Sequence, residues 1–107
     1  MGIENLNVID VVSIDKEQNV ILTISDELEW DRENLHLLKL QDKLNSYLGA
    51  IENESLYESY PNAKGRNIII NIVSKYAPNM EGETFLQRTR EVLEAAGYGF
   101  KFTNLIK

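Results

Sequence analysis

Two stretches of strand-like hydrophobic pattern lie near the start of the chain. Residues 8–15 are rich in β-branched side chains, and residues 19–25 alternate Val20, Leu22 and Ile24 with side chains of the opposite face. Runs of this length and period are typical of β-strands. The polar residues 16–19 between them form a connection short enough to join antiparallel neighbours, so we expect a hairpin.

A helical period begins at Asp31. On a helix lying against a core, the apolar residues form a stripe about 100° wide, and the members of this stripe are Trp30, Leu37, Leu40, Leu44, Tyr47, Leu48 and Ile51. Asp31 is predicted as the N-cap, with Trp30 and Leu35 in positions to pack against each other at the helix start. Either Gly49 or the polar residues 52–55 end this helix.

The second half of the chain predicts an irregular segment followed by a strand, a helix and a strand. The segment up to Asn67 has no regular period and concentrates turn-forming residues, so a mobile loop is expected there. Residues 68–73 are an almost continuous apolar run, which favours a central strand. Thr84 and Gln87 have the spacing of a capping box for the second helix, Gly97 suits its left-handed end, and residues 98–106 alternate as a fourth strand.

The predicted element order is β-β-α-β-α-β within a single domain spanning residues 1–107. We expect an α+β fold, a two-layer sandwich with a four-stranded mixed sheet and two helices. This arrangement buries one apolar stripe per helix against one apolar sheet face. Asp10 and Asn71 interrupt the apolar runs of their strands, and we expect them on the sheet face that the helices leave uncovered.

Composition excludes several classes of chemistry. The 107 residues carry a formal charge of -6, one histidine and no cysteine. A disulfide framework, a cysteine zinc site, an iron–sulfur cluster and a thiol nucleophile are therefore excluded, and no cofactor is expected. The sequence has no apolar run of membrane-spanning length and no secretory signal at its start. We expect a cytoplasmic protein without membrane contact, and its acidic charge opposes nucleic-acid binding.

The densest chemical feature is an acidic segment around the only tryptophan. Residues 26–33 hold five carboxylates. One interpretation is that acids gather before a helix N-terminus, where exposed N–H groups favour negative charge. A second is metal binding or acid–base chemistry, although the glycine of a calcium loop is missing. The third is a partner-binding surface anchored by an aromatic side chain and formed by Asp26, Glu27, Leu28, Glu29, Trp30 and Asp31.

The remaining ionisable residues give no recognisable catalytic set. His36 lies between Leu35 and Leu37, and the sequence offers it no identifiable nucleophile or orienting carboxylate. We therefore predict a partly exposed helix histidine. Arg88 and Arg90 lie about 200° apart around a helix, so they do not form one basic patch.

A second candidate site lies in the irregular segment. Tyr57, Tyr60, Lys64 and Arg66 could bind an anionic ligand in a pocket between this segment and the sheet edge, with arginine contributing its planar fork of donors. The corresponding alternative function is a small anionic-ligand binder or an enzyme.

Five short sequences resemble a known family. They are Leu22-Thr23-Ile24-Ser25-Asp26, Glu29-Trp30-Asp31, Gln41-Asp42-Lys43-Leu44-Asn45, Ala63-Lys64-Gly65-Arg66 and Ala95-Ala96-Gly97-Tyr98. The chain is similar to a family of small bacterial proteins classed only as a domain of unknown function. The resemblance implies a bacterial cytosolic protein of the α+β kind, and it supplies no activity and no catalytic residues.

Without a catalytic set, the predicted function is protein interaction without catalysis. Self-association is one version, in which Leu28, Leu35 and Leu38 extend an apolar surface that favours a homodimer. The other version is inhibition of a basic, toxin-like protein by the acidic half of the chain, since residues 1–60 hold 13 acidic and 4 basic side chains.

Overall fold

The computed structural model describes residues 11–27, 29–30 and 35–105. Four strands, three α-helices and one turn of 3-10 helix lie within them. In chain order they are β1 (Val11–Ile14), β2 (Val20–Asp26), α1 (Leu35–Glu52), α2 (Ser55–Ser59), the 3-10 turn (Pro61–Ala63), β3 (Ile68–Ser74), α3 (Met80–Ala95) and β4 (Gly99–Asn104).

The strands form one mixed sheet in the order β1-β2-β3-β4. β1 and β2 are antiparallel, whereas β2, β3 and β4 run parallel to one another. The predicted hairpin, the central third strand and the α+β class are therefore confirmed. Helices α1 and α3 lie in the two connections between parallel strands, which need crossovers of this length.

The core is formed by side chains of the sheet and of the helices. Alternate residues of β2 and β3 are buried and form one apolar cluster with side chains of the helices, as period-two alternation requires. Tyr47 of α1 reaches into this cluster, and its hydroxyl donates to the Thr23 carbonyl oxygen at 2.8 Å. Asn71 lies on the opposite sheet face, as expected, and Asp10 lies outside the described residues.

The β1–β2 turn is held by the side chain of Asp15. Its Oδ1 accepts hydrogen bonds from the backbone N–H of Asn19 at 2.8 Å and of Glu17 at 2.9 Å. These bonds favour the ionised carboxylate, the one from the Asn19 backbone most strongly, and hold the pKa of Asp15 below its ordinary value.

The segment expected to be an irregular loop contains two short helical pieces, so that prediction is wrong for part of its length. Residues 55–59 form α2, and residues 61–63 form the 3-10 turn. Leu56 and Ala63 are both buried in the core. Each piece contains only one buried residue, so neither shows a hydrophobic period in the sequence.

The ends of the longer helices differ from the expectations in one case and agree in two. The predicted capping box of Thr84 and Gln87 is wrong, because α3 begins at Met80 and the side chain of Asn79 accepts from the Gly82 N–H at 2.8 Å. At the other end, Gly97 has the predicted left-handed conformation with φ of 92°. Helix α1 ends at the polar residues after Glu52, and its predicted cap lies outside the described residues. Across the described part of the chain, no helix has the length and apolar character needed to span a bilayer.

Candidate functional site

A buried acid–histidine pair lies at the carboxyl edge of the parallel strands. Asp26, Ser74 and Asn104 end β2, β3 and β4 in mutual register. The carboxyl end of a parallel sheet is where α/β proteins bind their ligands. Here Asp26 is 1% exposed and His36 is 3% exposed, and the His36 Nε2 lies 2.6 Å from the Asp26 Oδ2. The expectation of a partly exposed His36 is wrong, and the Asp26 carboxylate is not part of a surface.

Trp30 packs against the His36 side of this pair. Its ring meets the His36 ring edge-on at a centroid distance of 4.2 Å, and its Nε1 donates to the Tyr76 carbonyl oxygen at 3.3 Å. The indole also packs on the first turn of α3, where a Cβ built at Gly82 would lie 2.6 Å from the Trp30 Cε3. Trp30 is thus half-buried and joins the end of β2 to the start of α3.

The pair does not activate the neighbouring hydroxyl. Ser74 is fully buried, and its Oγ donates to the Tyr76 carbonyl oxygen at 2.8 Å. A nucleophilic serine would instead donate to the histidine. Within residues 11–27, 29–30 and 35–105, no three His, Asp or Glu side chains are grouped as a metal site requires.

The predicted acidic surface is divided by the fold. Glu27 and Glu29 are exposed and Trp30 is half-buried, whereas Asp26 is buried beneath them. Leu28 and Asp31 lie outside the described residues. Among the described residues of this predicted surface, the side chains that reach solvent are those of Glu27 and Glu29 and part of Trp30.

The second predicted site is occupied by contacts within the chain. The Arg66 Nε donates to the Asn62 carbonyl oxygen at 2.7 Å, and its Nη1 donates to the backbone and side-chain oxygens of Gln18 at 3.3 Å and 2.8 Å. Tyr57 packs against the core, while Tyr60 and Lys64 are exposed. No hydrogen bond joins any of these three to Arg66 in the described part of the chain. Through its hydrogen bonds to Gln18, Arg66 stabilises the β1–β2 turn.

An apolar groove between α1 and α3 was not predicted from the sequence. It encloses about 400 Å³, and its apolar lining consists of Leu37, Leu44, Leu48, Phe85, Val92 and Leu93. Arg88 is the one charged side chain among the described residues that line it. A second cavity of about 410 Å³ shares Leu37, Phe85 and Arg88 and continues past Met80 and Glu81. We call these two connected cavities the α1–α3 groove.

Two apolar side chains that line this groove are largely exposed. Met80 is 84% exposed and Val92 is 63% exposed, and Leu38 of α1 is 53% exposed. Leu35 is also exposed, so the exposure that self-association would require of Leu35 and Leu38 is present, whereas Leu28 lies outside the described residues. Phe85 lines the groove and also packs against the core, whereas Val92 lines the groove and is mostly exposed.

Comparison with known proteins gives a family and no activity. No curated protein and no solved structure matches the chain. The bacterial origin implied by the resemblance stays a prediction. The resemblance itself is confirmed: the chain belongs to the family described as a family of unknown function (DUF6572), which matches residues 1–105.

Proposed function

We propose that this chain is a protein-interaction domain without catalysis, and that the α1–α3 groove is its docking surface. The observation that carries the proposal is an apolar groove whose described lining contains two charged side chains, Arg88 in both cavities and Glu81 in the second. In the two-layer arrangement expected from the sequence, this groove lies on the outer side of the helices. A partner that fits this surface presents an apolar stripe with a carboxylate opposite the arginine.

The apolar side chains beside the groove supply the driving force. Full burial of a Leu, Val or Met side chain contributes about 1.5–3 kcal/mol relative to full exposure. Because Met80 and Val92 line the groove and keep more than half of their surface exposed, covering each of them would contribute about 1–2 kcal/mol. Contiguous apolar surface of this kind is typical of interaction sites on proteins.

The buried pair supports a structural role rather than catalysis. The His36 Nε2 and the Asp26 Oδ2 face each other inside the protein, and Trp30 packs against the imidazole. A general base has to come within hydrogen-bond reach of the proton that it removes. With side chains exposed by 2% and 0%, the pair offers a substrate almost no accessible surface. We infer that it fixes the start of α1 against the sheet.

A second candidate partner is a basic protein bound at the acidic end of β2. Glu27 and Glu29 are exposed there, next to the half-buried Trp30. This surface supports the alternative of an inhibitor for a basic, toxin-like protein, although two carboxylates make a smaller contact than the groove does.

Site-specific photo-crosslinking in the native host cell tests the groove directly. A photoreactive amino acid at Val92, which is exposed at the groove, should give a discrete protein adduct that mass spectrometry identifies. The matched control places the same amino acid at Glu94, which is exposed on the same helix about 160° away from Val92 and does not line the groove. Loss of the Val92 adduct in an Arg88→Glu background would tie it to the groove. No adduct at Val92, or equal adducts at both positions, would contradict the proposal.

A further inference from the structure

We propose that the partner of the α1–α3 groove is a second copy of this chain, bound about a two-fold axis through antiparallel contact of the two α3 helices. In this arrangement Arg88 of each copy faces Glu81 of the other. The inference rests on the proposed function, because it uses the same groove and names its occupant.

Helix α3 carries two opposite charges, Glu81 and Arg88, at the groove. Glu81 and Arg88 both line the second cavity of the groove. Seven residues separate them, which is about two helical turns and a rotation of only about 20°. They therefore lie on one stripe of the helix, about 10 Å apart along its axis. Among the described residues, Glu81 and Arg88 form an ion pair neither with each other nor with another side chain.

Two opposite charges on one stripe make the stripe complementary to itself. A two-fold contact brings the same surface of both copies together, so that residue i meets residue j and j meets i. If the helices run antiparallel and cross between Thr84 and Phe85, each Arg88 meets the partner's Glu81. If they ran parallel, Arg88 would meet Arg88 and Glu81 would meet Glu81. Charge complementarity therefore selects the antiparallel arrangement.

Apolar residues surround this charge pattern on the same face. Phe85 lies beside the crossing point, and the exposed Met80 and Val92 lie toward the two ends of the helix. Leu37 contributes from α1. A helix of 16 residues is about 24 Å long, and its packing partner lies about 8–10 Å away. A face of this length and about 20 Å wide, the width of the two helices α1 and α3, covers roughly 500 Å² per copy. With α1 contributing about half, the contact reaches the total of about 1,000 Å² that a specific interface needs.

Sedimentation velocity across a hundredfold range of concentration tests the assignment through a charge exchange. The wild-type chain should form a dimer whose fraction rises with concentration. Glu81→Arg and Arg88→Glu should each weaken dimerisation at least tenfold, because each places two pairs of like charges across the interface. The double variant carrying both substitutions should recover most of the wild-type affinity. Both side chains are exposed, and circular dichroism with a thermal melt verifies that each variant is folded.

The control and the contradicting results separate this inference from the proposed function. Glu94→Arg changes the net charge as Glu81→Arg does, on the same helix but outside the groove, and should leave the dimer unchanged. A wild-type monomer at every concentration, or a double variant no tighter than the single ones, overturns the second copy as occupant. If Val92 then crosslinks to a different protein, the proposed function stands and only the identity of the partner is wrong; if Val92 gives no adduct, both fail.

Discussion

Replacing Gly82 by alanine tests the contact between Trp30 and the start of α3. In an ordinary helix this change is favourable, since alanine is about 1 kcal/mol better than glycine in a helix interior. Here the added Cβ would lie 2.6 Å from the Trp30 Cε3, 2.7 Å from its Cζ3 and 3.0 Å from the Pro78 Cβ. Ordinary contacts between carbon atoms are about 3.5–4.0 Å, so the indole has to move by about 1 Å.

The indole has little freedom to move. Its Nε1 donates to the Tyr76 carbonyl oxygen, and its ring edge contacts the His36 ring. Overpacking of a filled site costs about 1–3 kcal/mol, and losing the indole hydrogen bond adds about 1 kcal/mol. These costs exceed the propensity gain. We expect Gly82→Ala to lower the free energy of unfolding by about 1–2 kcal/mol.

The matched control is Gly49→Ala in α1. Gly49 is also helical, and a Cβ built there meets nothing within 4 Å, so the same substitution should raise the free energy of unfolding by about 0.5–1 kcal/mol. Thermal and urea unfolding followed by the fluorescence of Trp30, the only tryptophan, give both values. In a domain of this size 1 kcal/mol shifts the Tm by about 4–8 °C. If Gly82→Ala is as stabilising as Gly49→Ala, the close approach of Trp30 to α3 is wrong.

Three further substitutions test other parts of the fold. His36→Ala removes one hydrogen-bond partner of the buried Asp26 side chain and should cost about 3 kcal/mol in urea unfolding; a loss below about 1 kcal/mol would contradict a buried hydrogen-bonded pair. The pKa of Asp15 is lowered by the Asn19 N–H, so its stabilising contribution is complete above the unfolded-state pKa and is lost as the pH falls through the folded-state pKa. Asp15→Asn should therefore flatten the decline of Tm in acid, and identical pH profiles would refute this. Gly97→Ala forces a side chain into a φ of 92° and should cost about 1 kcal/mol; an unchanged urea midpoint would show that the helix end is not left-handed.

The elements that the sequence predicts correctly are those set by neighbouring residues. The alternation of Val20, Leu22 and Ile24 identifies β2, because every second residue of a strand faces the core. The polar turn after β1 predicts the antiparallel hairpin, and Gly97 predicts the end of α3, because both depend on a few adjacent residues. No distant contact is needed for any of these predictions.

The candidate sites depend on how the helices dock, which the pattern of α1 does not determine. The buried arc of α1 includes His36 and Lys43, both polar by type, so the arc predicted from apolar residues alone is rotated away from them. Lys43 is fully buried, with its Nζ 5.5 Å from the centroid of the Tyr47 ring. Asp26 and His36 are ten residues apart on different elements, and their contact exists only after α1 packs on the sheet.

The α1–α3 groove was not predicted because it also depends on how the helices dock. An apolar stripe on α3 shows that the helix packs on one side, but it does not show which residue at the margin of the stripe remains uncovered. Leu93 is buried, while Val92 beside it is mostly exposed. The boundary between them is set by the position of α1, and two helices cover the sheet without filling the space between them.

The parallel pairing of β3 with both of its neighbours has a consequence for how the chain folds. Val20 pairs with Ile68 and Ile69 pairs with Gly99, so two of the three strand pairings close long loops, and only the β1–β2 hairpin forms between residues close in sequence. Such non-local pairings slow folding, so we expect a folding rate between those of helical bundles and of all-β domains. Both parallel pairings require β3, so we expect the sheet to form in a single cooperative transition. The isolated β1–β2 hairpin should have no measurable stability.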